Sequence, residues 1–262
     1  MDSIRALFHR RIGLPEDWEP SFDRLDEILQ RMALRIPFEN LRILADRIGP
    51  ITKRSLADKI LSGREGGLCY EINPILYYYL KETGFDASLT NGVVYNEKKQ
   101  AFLTLGRTHV AILLKHEGET FLVDAGFGGN LPLKPVPLSG RTVSSENGEF
   151  RAAKKTTEHG DYVLEMKLKH KDPDWKTGYA FDSRRPEIGP ADLDAIQTTI
   201  ARHEESPFNR TPLVTMRTLT GHMTLTSSSF TVWENGQVSK EEMDAEHFGT
   251  VLRRHFGLTF NR

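Results

Sequence analysis

Arg64-Glu65-Gly66-Gly67-Leu68-Cys69-Tyr70-Glu71-Ile72-Asn73-Pro74, running straight into Ile75-Leu76-Tyr77-Tyr78-Tyr79-Leu80, is the stretch on which the fold turns. The paired glycines permit a tight turn and a close backbone approach to another segment. The apolar run behind them reads as a buried helix, and Gly84 supplies its C-terminal stop. Cys69 thus falls where turn becomes helix, so the helix dipole favours a thiolate and the sulfur can face a cleft. Pro74 removes an internal hydrogen bond, which predicts a short helical turn around Cys69 with a kink rather than a straight rod. Cys69 is the only cysteine in the chain. A lone cysteine is usually a small buried hydrophobe; the turn, the glycines and the helix start are what mark this one as a nucleophile.

Upstream, Phe22, Leu25, Ile28, Leu29, Met32 and Leu34 follow helical spacing. Ser21 is the expected N-cap, and Arg35-Ile36-Pro37 ends the helix, because proline disfavours helix in the residue before it. A second helix is expected over 55–61, stopped by Gly63. Downstream the period changes. Segments 87–89, 92–95, 109–114, 121–123 and 162–166 read as strands of an antiparallel sheet or small barrel, with 175–190 as a crossing loop. The last third has mixed character, with a helix over 192–200, loose strands over 222–232 and a closing helix over 240–256.

A cysteine nucleophile needs a base, and the base needs an orienting group. His109 begins one apolar strand, Asp124 ends the next, and Lys115 to Thr120 is the polar turn between them. If Glu117 and Gly118 are the two central turn residues, His109 faces Gly126 and Asp124 is its diagonal neighbour on the same face. A one-residue change in loop length would put the two side chains on opposite faces. In this arrangement His109 takes the thiol proton, and Asp124 fixes the imidazole tautomer and favours its charged form. Alone, His109 could be an ordinary strand histidine and Asp124 a turn cap before Gly126. With Cys69 they follow the order Cys, His, Asp of papain- and transglutaminase-like thiol enzymes. His116, in the turn region, and His159, His203 and His247, in polar surroundings, compete poorly for the role.

Composition narrows the remaining classes. The 262 residues are 27% charged and 38% hydrophobic, with formal net charge −1 and no clustered basic face, which argues against a nucleic-acid partner. No apolar run approaches the roughly 18 residues of a membrane span, and the first fourteen residues lack a signal-peptide core. A single cysteine forms no internal disulfide, so a cytoplasmic location is expected. The nine histidines are dispersed, none at the short spacings of a zinc site, and no dinucleotide or P-loop glycine motif is present. No metal is expected.

These residues resemble one family, the arylamine N-acetyltransferases. Its nucleophile signature, a basic residue and two glycines before Cys-x-Glu-x-Asn, is matched by Arg64 to Asn73, with Glu65 the loose fit between Arg64 and the glycines. Pro37-Phe38-Glu39-Asn40, Thr108-His109-Val110, Val123-Asp124-Ala125-Gly126-Phe127-Gly128, Ser206-Pro207-Phe208-Asn209 and His255-Phe256-Gly257-Leu258 extend the resemblance nearly end to end. It implies an α+β fold: an N-terminal helical bundle carrying the cysteine (1–84), a central antiparallel β-barrel carrying His and Asp (85–190), and a C-terminal α/β lid (191–262).

The same resemblance implies ping-pong transfer. Acetyl-CoA acylates Cys69, CoA leaves, and an arylamine, arylhydrazine or N-hydroxyarylamine takes the acetyl group. Phe38, Phe127 and Phe208 would line the acceptor pocket, and Gly126, Gly128 and Gly129, with Gly106 in a matching loop, would let the CoA arm approach. Glu71 and Asn73 would tie the cysteine turn in place. Three other readings stay open: an amide synthase of macrolactam formation on the same scaffold, a transglutaminase-like thiol hydrolase, and a binding protein with an inert cysteine.

Overall fold

The computed structural model describes residues 3–185 and 187–260. The chain begins with helices α1 (Ile4–Ile12), α2 (Leu25–Arg35), α3 (Leu41–Leu44), α4 (Lys53–Leu56) and α5 (Cys69–Glu82), interrupted by a two-residue strand, β1 (Phe38–Glu39). Ser3 caps α1 by accepting from the Ala6 N–H. Thr52 and Ser55 cap the start of α4, which widens into a π-helical turn over Ala57–Ser62 before Gly63. Phe8, Ile12, Ile28, Met32, Ile60, Ile75 and Tyr79 are buried together around α5. The Phe8 and Tyr79 rings stack at 4.2 Å. Burying each such side chain contributes about 1.5–3 kcal/mol, so α5 is held by packing on nearly every side.

Strands β2 (Asp86–Asn96), β3 (Ala101–Phe102), β4 (His109–His116), β5 (Glu119–Val123), β6 (Val136–Pro137), β7 (Val143–Ser145), β8 (Gly148–Thr157), β9 (Gly160–Leu168) and β10 (Lys176–Phe181) form an antiparallel sheet ordered β6-β5-β4-β2-β10-β9-β8-β7, with β3 beside β2. The sheet curls on itself: Val136 near one end of that order and Phe150 near the other share a single core with Ala111, Leu122, Leu164, Tyr179 and Phe181. Side chains alternate across a strand, and β4 uses both faces. Val110, Ile112 and Leu114 pack on the helices, whereas Ala111 faces the barrel core. His109, two residues before Ala111, is therefore on the barrel side.

Helix α6 (Pro190–Arg202) returns to the helical core through Leu193, Ile196 and Ile200. Strands β11 (Leu213–Arg217), β12 (Gly221–Thr226), β13 (Ser229–Glu234) and β14 (Gln237–Glu242) make a second antiparallel sheet, covered by helix α7 (Ala245–Val251) and a π-helical turn over Leu252–Phe256. Its first strand in space is β1: Phe38 pairs with Thr215 and Glu39 with Val214. On the other side the Pro37–Glu39 backbone pairs with Gly67, through Gly67 N–H to Pro37 O (3.2 Å) and Glu39 N–H to Gly67 O (3.0 Å). A Cβ on Gly66 would stand 2.1 Å from the Pro37 carbonyl oxygen. The glycine pair is thus the seam that sews the cysteine turn to the second sheet.

Several expectations are corrected. Ser21 makes no side-chain cap; the chain enters α2 through a short 3₁₀ turn over Phe22–Arg24. The helix expected from 55 starts at Lys53, because Thr52 provides the cap. Segments 87–89 and 92–95 are one strand, β2. Helix α5 runs from Cys69 to Glu82 with Pro74 inside it; with Cys69 as the first helical residue, the missing N–H costs one carbonyl partner near the helix start. The expected loop at 175–190 contains β10, whose buried Tyr179 and Phe181 complete the barrel core. The closing helix does not start at Lys240: residues up to Glu242 form the exposed strand β14, and Asp244 caps α7.

Gly66→Ala is expected to destabilise the protein by about 2 kcal/mol or more, the scale of a backbone clash. Gly49→Ala, where a Cβ meets nothing within 4 Å, should stay within about 0.5 kcal/mol. Urea unfolding of both variants checks the pair; equal midpoints would show that the seam tolerates a side chain.

Candidate active site

Cys69 is the first residue of α5, preceded by Leu68 in extended conformation. Glu71 accepts from the Leu68 N–H at 3.1 Å and pairs with the ammonium of Lys59. Lys59 also lies 3.8 Å from Glu39, whose other oxygen accepts from the Leu41 N–H at 2.6 Å. All three charged side chains are buried. An isolated buried charge is costly, so one lysine shared by two carboxylates locks the turn on both sides of the seam. Burial pushes the Glu39 carboxyl up in pKa against the opposing pull of Lys59. Glu65, the loose fit to the family signature, makes two 2.7 Å hydrogen bonds with Arg42.

Glu117 (φ 48°) and Gly118 (φ 80°) form the two-residue turn between β4 and β5, and His116 pairs with Glu119 through to Ile112 with Val123. Extending that register by three steps sets His109 opposite Gly126. His109 Nε2 and Asp124 Oδ2 are 2.7 Å apart, both side chains buried. Cys69 and His109 border the same cavity and Cys69 helps raise the His109 pKa; with Nε2 committed to Asp124, Nδ1 is the ring nitrogen left for the sulfur. The Cys69 thiol is 3.5 Å from the Thr108 carbonyl oxygen. Structure therefore brings Cys69, His109 and Asp124 together.

Asp124 is held on every side. Its Oδ1 accepts from Asn73 Nδ2 (2.9 Å) and the Gly126 N–H (2.8 Å), and its Oδ2 from His109 and the Tyr179 hydroxyl (2.9 Å). Asn73 also donates to the Val110 carbonyl (2.7 Å) and accepts from the Ala125 N–H (2.8 Å). Burial alone would raise the Asp124 pKa, but His109, Asn73 and Gly126 outweigh it and hold the carboxyl below its usual 3.8. Burial likewise disfavours a charged His109, yet Asp124 and Cys69 carry its pKa up to about 10. Burial, then Asp124, pushes the Tyr179 hydroxyl well above 10, so it stays a donor. A Cβ on Gly126 would sit 2.8 Å from the Cys69 Cα, so the absence of a side chain there lets strand and helix meet.

A cavity of about 400 Å³ opens over Cys69 and His109. Phe38, Phe127 and Phe208 are all in its wall; Phe38 meets Phe208 edge-on at 5.8 Å, and Phe127 lies 4.8 Å from the His109 ring. Gly126, Gly128 and Gly129 also line it, although the open side of Gly126 is filled by Cys69. Gly106 (φ 71°) lies in the turn before Thr108 and is not part of the cavity wall. Tyr179, Lys171 and His222 escaped the sequence reading. Tyr179 sat in the segment read as loop, where its alternation with Thr177 and Phe181 was the available signal. Lys171 and His222 reach the cavity from elements distant in sequence and carried none.

A buried thiol, imidazole and carboxylate at the floor of an aromatic cavity define a cysteine-dependent acyl-transfer enzyme. A family model described as N-acetyltransferase matches residues 21–262, and the chain belongs to that family. It is 41% identical to an uncharacterised acetyltransferase of Bacillus subtilis, covering 97% of this chain and 98% of the relative. It is 31% identical to the arylamine N-acetyltransferase of Escherichia coli, over 98% and 90% of the two chains. An arylamine N-acetyltransferase of Bacillus cereus, whose crystal structure reveals a Cys-His-Glu catalytic triad, superposes with a TM-score of 0.93 at 40% identity, covering 99% of this chain and all of that one. The same fold here carries aspartate at position 124.

The elevated His109 pKa makes stability depend on pH. Its contribution is complete below the unfolded value near 6.5 and is lost as pH rises through the folded value of about 10. The difference in unfolding free energy between wild type and His109→Gln should therefore narrow across that window. A constant difference would contradict the ion pair. Tyr179→Phe keeps the ring but removes one donor to the buried Asp124 carboxylate; kcat/KM for acetyl transfer should fall by about tenfold, the worth of a hydrogen bond to a charged group, and the thermal midpoint should fall by several degrees as well.

Proposed function

We propose that the protein transfers an acetyl group from acetyl-CoA to the nitrogen of arylamines and arylhydrazines, and to the oxygen of N-hydroxyarylamines, through an acetyl-Cys69 intermediate. The observation that carries this reading is the Cys69–His109–Asp124 contact at the floor of the aromatic cavity. His109 takes the thiol proton, and the Cys69 thiolate adds to the thioester carbonyl. The tetrahedral intermediate collapses with loss of the CoA thiolate, which takes the proton back from the imidazolium. The acceptor then attacks acetyl-Cys69, His109 accepts the proton the amine loses, and the thiolate is released. The first N–H groups of α5 direct the positive end of its dipole at the reacting centre.

Phe38, Phe127 and Phe208 are assigned to the acceptor ring, since three aromatic faces in one wall favour a flat apolar partner. Gly128 and Gly129 are assigned to the donor arm. The division into 1–84, 85–190 and 191–262 remains the working description of the three parts, with β1 and α6 crossing between them. Among the described residues no helix is long and apolar enough to cross a membrane; with a single cysteine, we place the protein in the cytoplasm.

Brief exposure to acetyl-CoA without acceptor, followed by intact-mass and peptide mapping, is the direct test. A single acetyl adduct on Cys69 is expected, absent in Cys69→Ser and strongly reduced in His109→Ala. Addition of a simple arylamine should discharge it. An unmodified wild type would sink the acetyltransferase reading.

A further inference from the structure

The barrel has a second mouth, at the end away from Cys69. Along β2 and β4 the barrel-side pairs run from Gly92 opposite His109, through Thr90 opposite Ala111 and Ser88 opposite Leu113, to Asp86 opposite Lys115. Ala111, Leu122 and Phe181 fill the barrel between its two ends. Tyr162 stacks on Phe181 at 5.7 Å and closes this plug from the far side. Beyond it lies a cleft of about 650 Å³ with Tyr162, Leu113, Thr90 and Ser88 in its wall. Cys69, His109 and Asp124 line no part of it.

Thr90 sets the floor of this cleft. It is 4% exposed, and among the described residues its hydroxyl has no hydrogen-bond partner. A buried hydroxyl left alone is costly, and a ligand atom in the cleft would relieve that cost. At the rim stand Lys81, Lys115 and Arg185, none with a carboxylate within ion-pair distance among the described residues. The acids of the rim are committed elsewhere or outnumbered. Glu119 accepts from the Ser139 hydroxyl at 2.6 Å and pairs with Arg141 at 3.3 Å. Glu187 lies against Tyr77, whose hydroxyl is pushed up in pKa by burial and then by Glu187. Asp86 is left beside Lys115 in the strand register.

We propose that the far mouth of the barrel binds a small di- or tricarboxylate, with Lys115 and Arg185 holding its charge and the Thr90 hydroxyl donating to it from the floor. The volume falls in the range of small-molecule sites, roughly 300–1,000 Å³, which is far more than a bare inorganic ion needs. Leu113 and Leu138 supply an apolar wall beside the cations, so the best occupant is an organic anion with a short carbon skeleton. The site is separate from the catalytic cavity, and the proposal does not rest on the acetyltransferase reading.

Citrate is the probe, titrated calorimetrically at low ionic strength so that screening does not mask the rim charges. One saturable site is expected. The double variant Lys115→Gln/Arg185→Gln, at two exposed positions, should weaken binding by on the order of tenfold. Lys155→Met, which removes an exposed barrel cation outside the cleft, should leave the affinity unchanged. Thr90→Val should weaken citrate binding and yet raise the thermal midpoint of the free protein, since it deletes an unpartnered hydroxyl; a hydroxyl with a purely structural role would give the opposite shift. Binding should also survive alkylation of Cys69 with iodoacetamide. Four results overturn the proposal: no saturable heat, an equal loss in Lys155→Met, a Thr90→Val protein that binds citrate normally or melts lower, or loss of binding once Cys69 is alkylated. Failure of the acetyltransferase reading would leave every one of these outcomes as it stands.

Discussion

The carboxylate of Asp124 is a buried charge accepting four hydrogen bonds from four separate donors, the His109 ring, the Asn73 amide, the Gly126 backbone and the Tyr179 hydroxyl. A carboxylate removed from water at this depth is tolerated only with such satisfaction, so each donor's position is constrained by the others. Asn73 lies one turn into α5, His109 at the start of β4, Tyr179 in the middle of β10. Helix, hairpin and far barrel strand are thereby tied to one pair of oxygens. The reactive geometry and the docking of helix on barrel are consequently the same interaction.

A second buried network supports the first from behind. Lys59, shared by Glu39 and Glu71, fixes the turn that ends at Leu68, while the Pro37–Glu39 backbone is clasped between Gly67 and β11. Cys69 emerges from this clamp with little freedom, as first-turn reactivity requires: the sulfur must meet an imidazole whose own orientation is set by Asp124. Breaking Lys59 would leave two buried carboxylates facing each other, which is why a charge deep in the helical part bears on a thiol at its edge.

Local features of the sequence reached the site well. The Glu117-Gly118 turn set the register, and the register alone put His109 and Asp124 on one face; the structure keeps that register from His116 to Ile112. Gly66 and Gly67 signalled a close approach, and the Pro37 carbonyl fills the space in question. What escaped was non-local. Tyr179 lies in a segment with a glycine and a bulge between Thr177 and Tyr179, which blurred the alternation that marks a strand. Ser21 and Lys240 misled because capping propensity and charge pattern are weak against tertiary pairing. Lys171 and His222 share the cavity wall only because the second sheet closes against the barrel, a fact that no window of sequence contains.

The choice of aspartate at position 124 follows from how tightly the strand end is drawn to the helix. With no side chain on Gly126, the backbone after Asp124 comes close enough that an added Cβ would fall 2.8 Å from the Cys69 Cα. A one-methylene carboxylate then reaches Nε2 at 2.7 Å while Oδ1 folds back onto the Gly126 N–H. Glutamate here would push an extra methylene into a site already filled by His109, Tyr179 and Asn73, and overpacking of that kind costs about 1–3 kcal/mol. The Bacillus cereus protein reaches a Cys-His-Glu triad on the same scaffold, so the third member is not dictated by the fold alone. In this chain Asp124 and Gly126 act as a coupled pair: the short acid demands the close approach, and the glycine permits it.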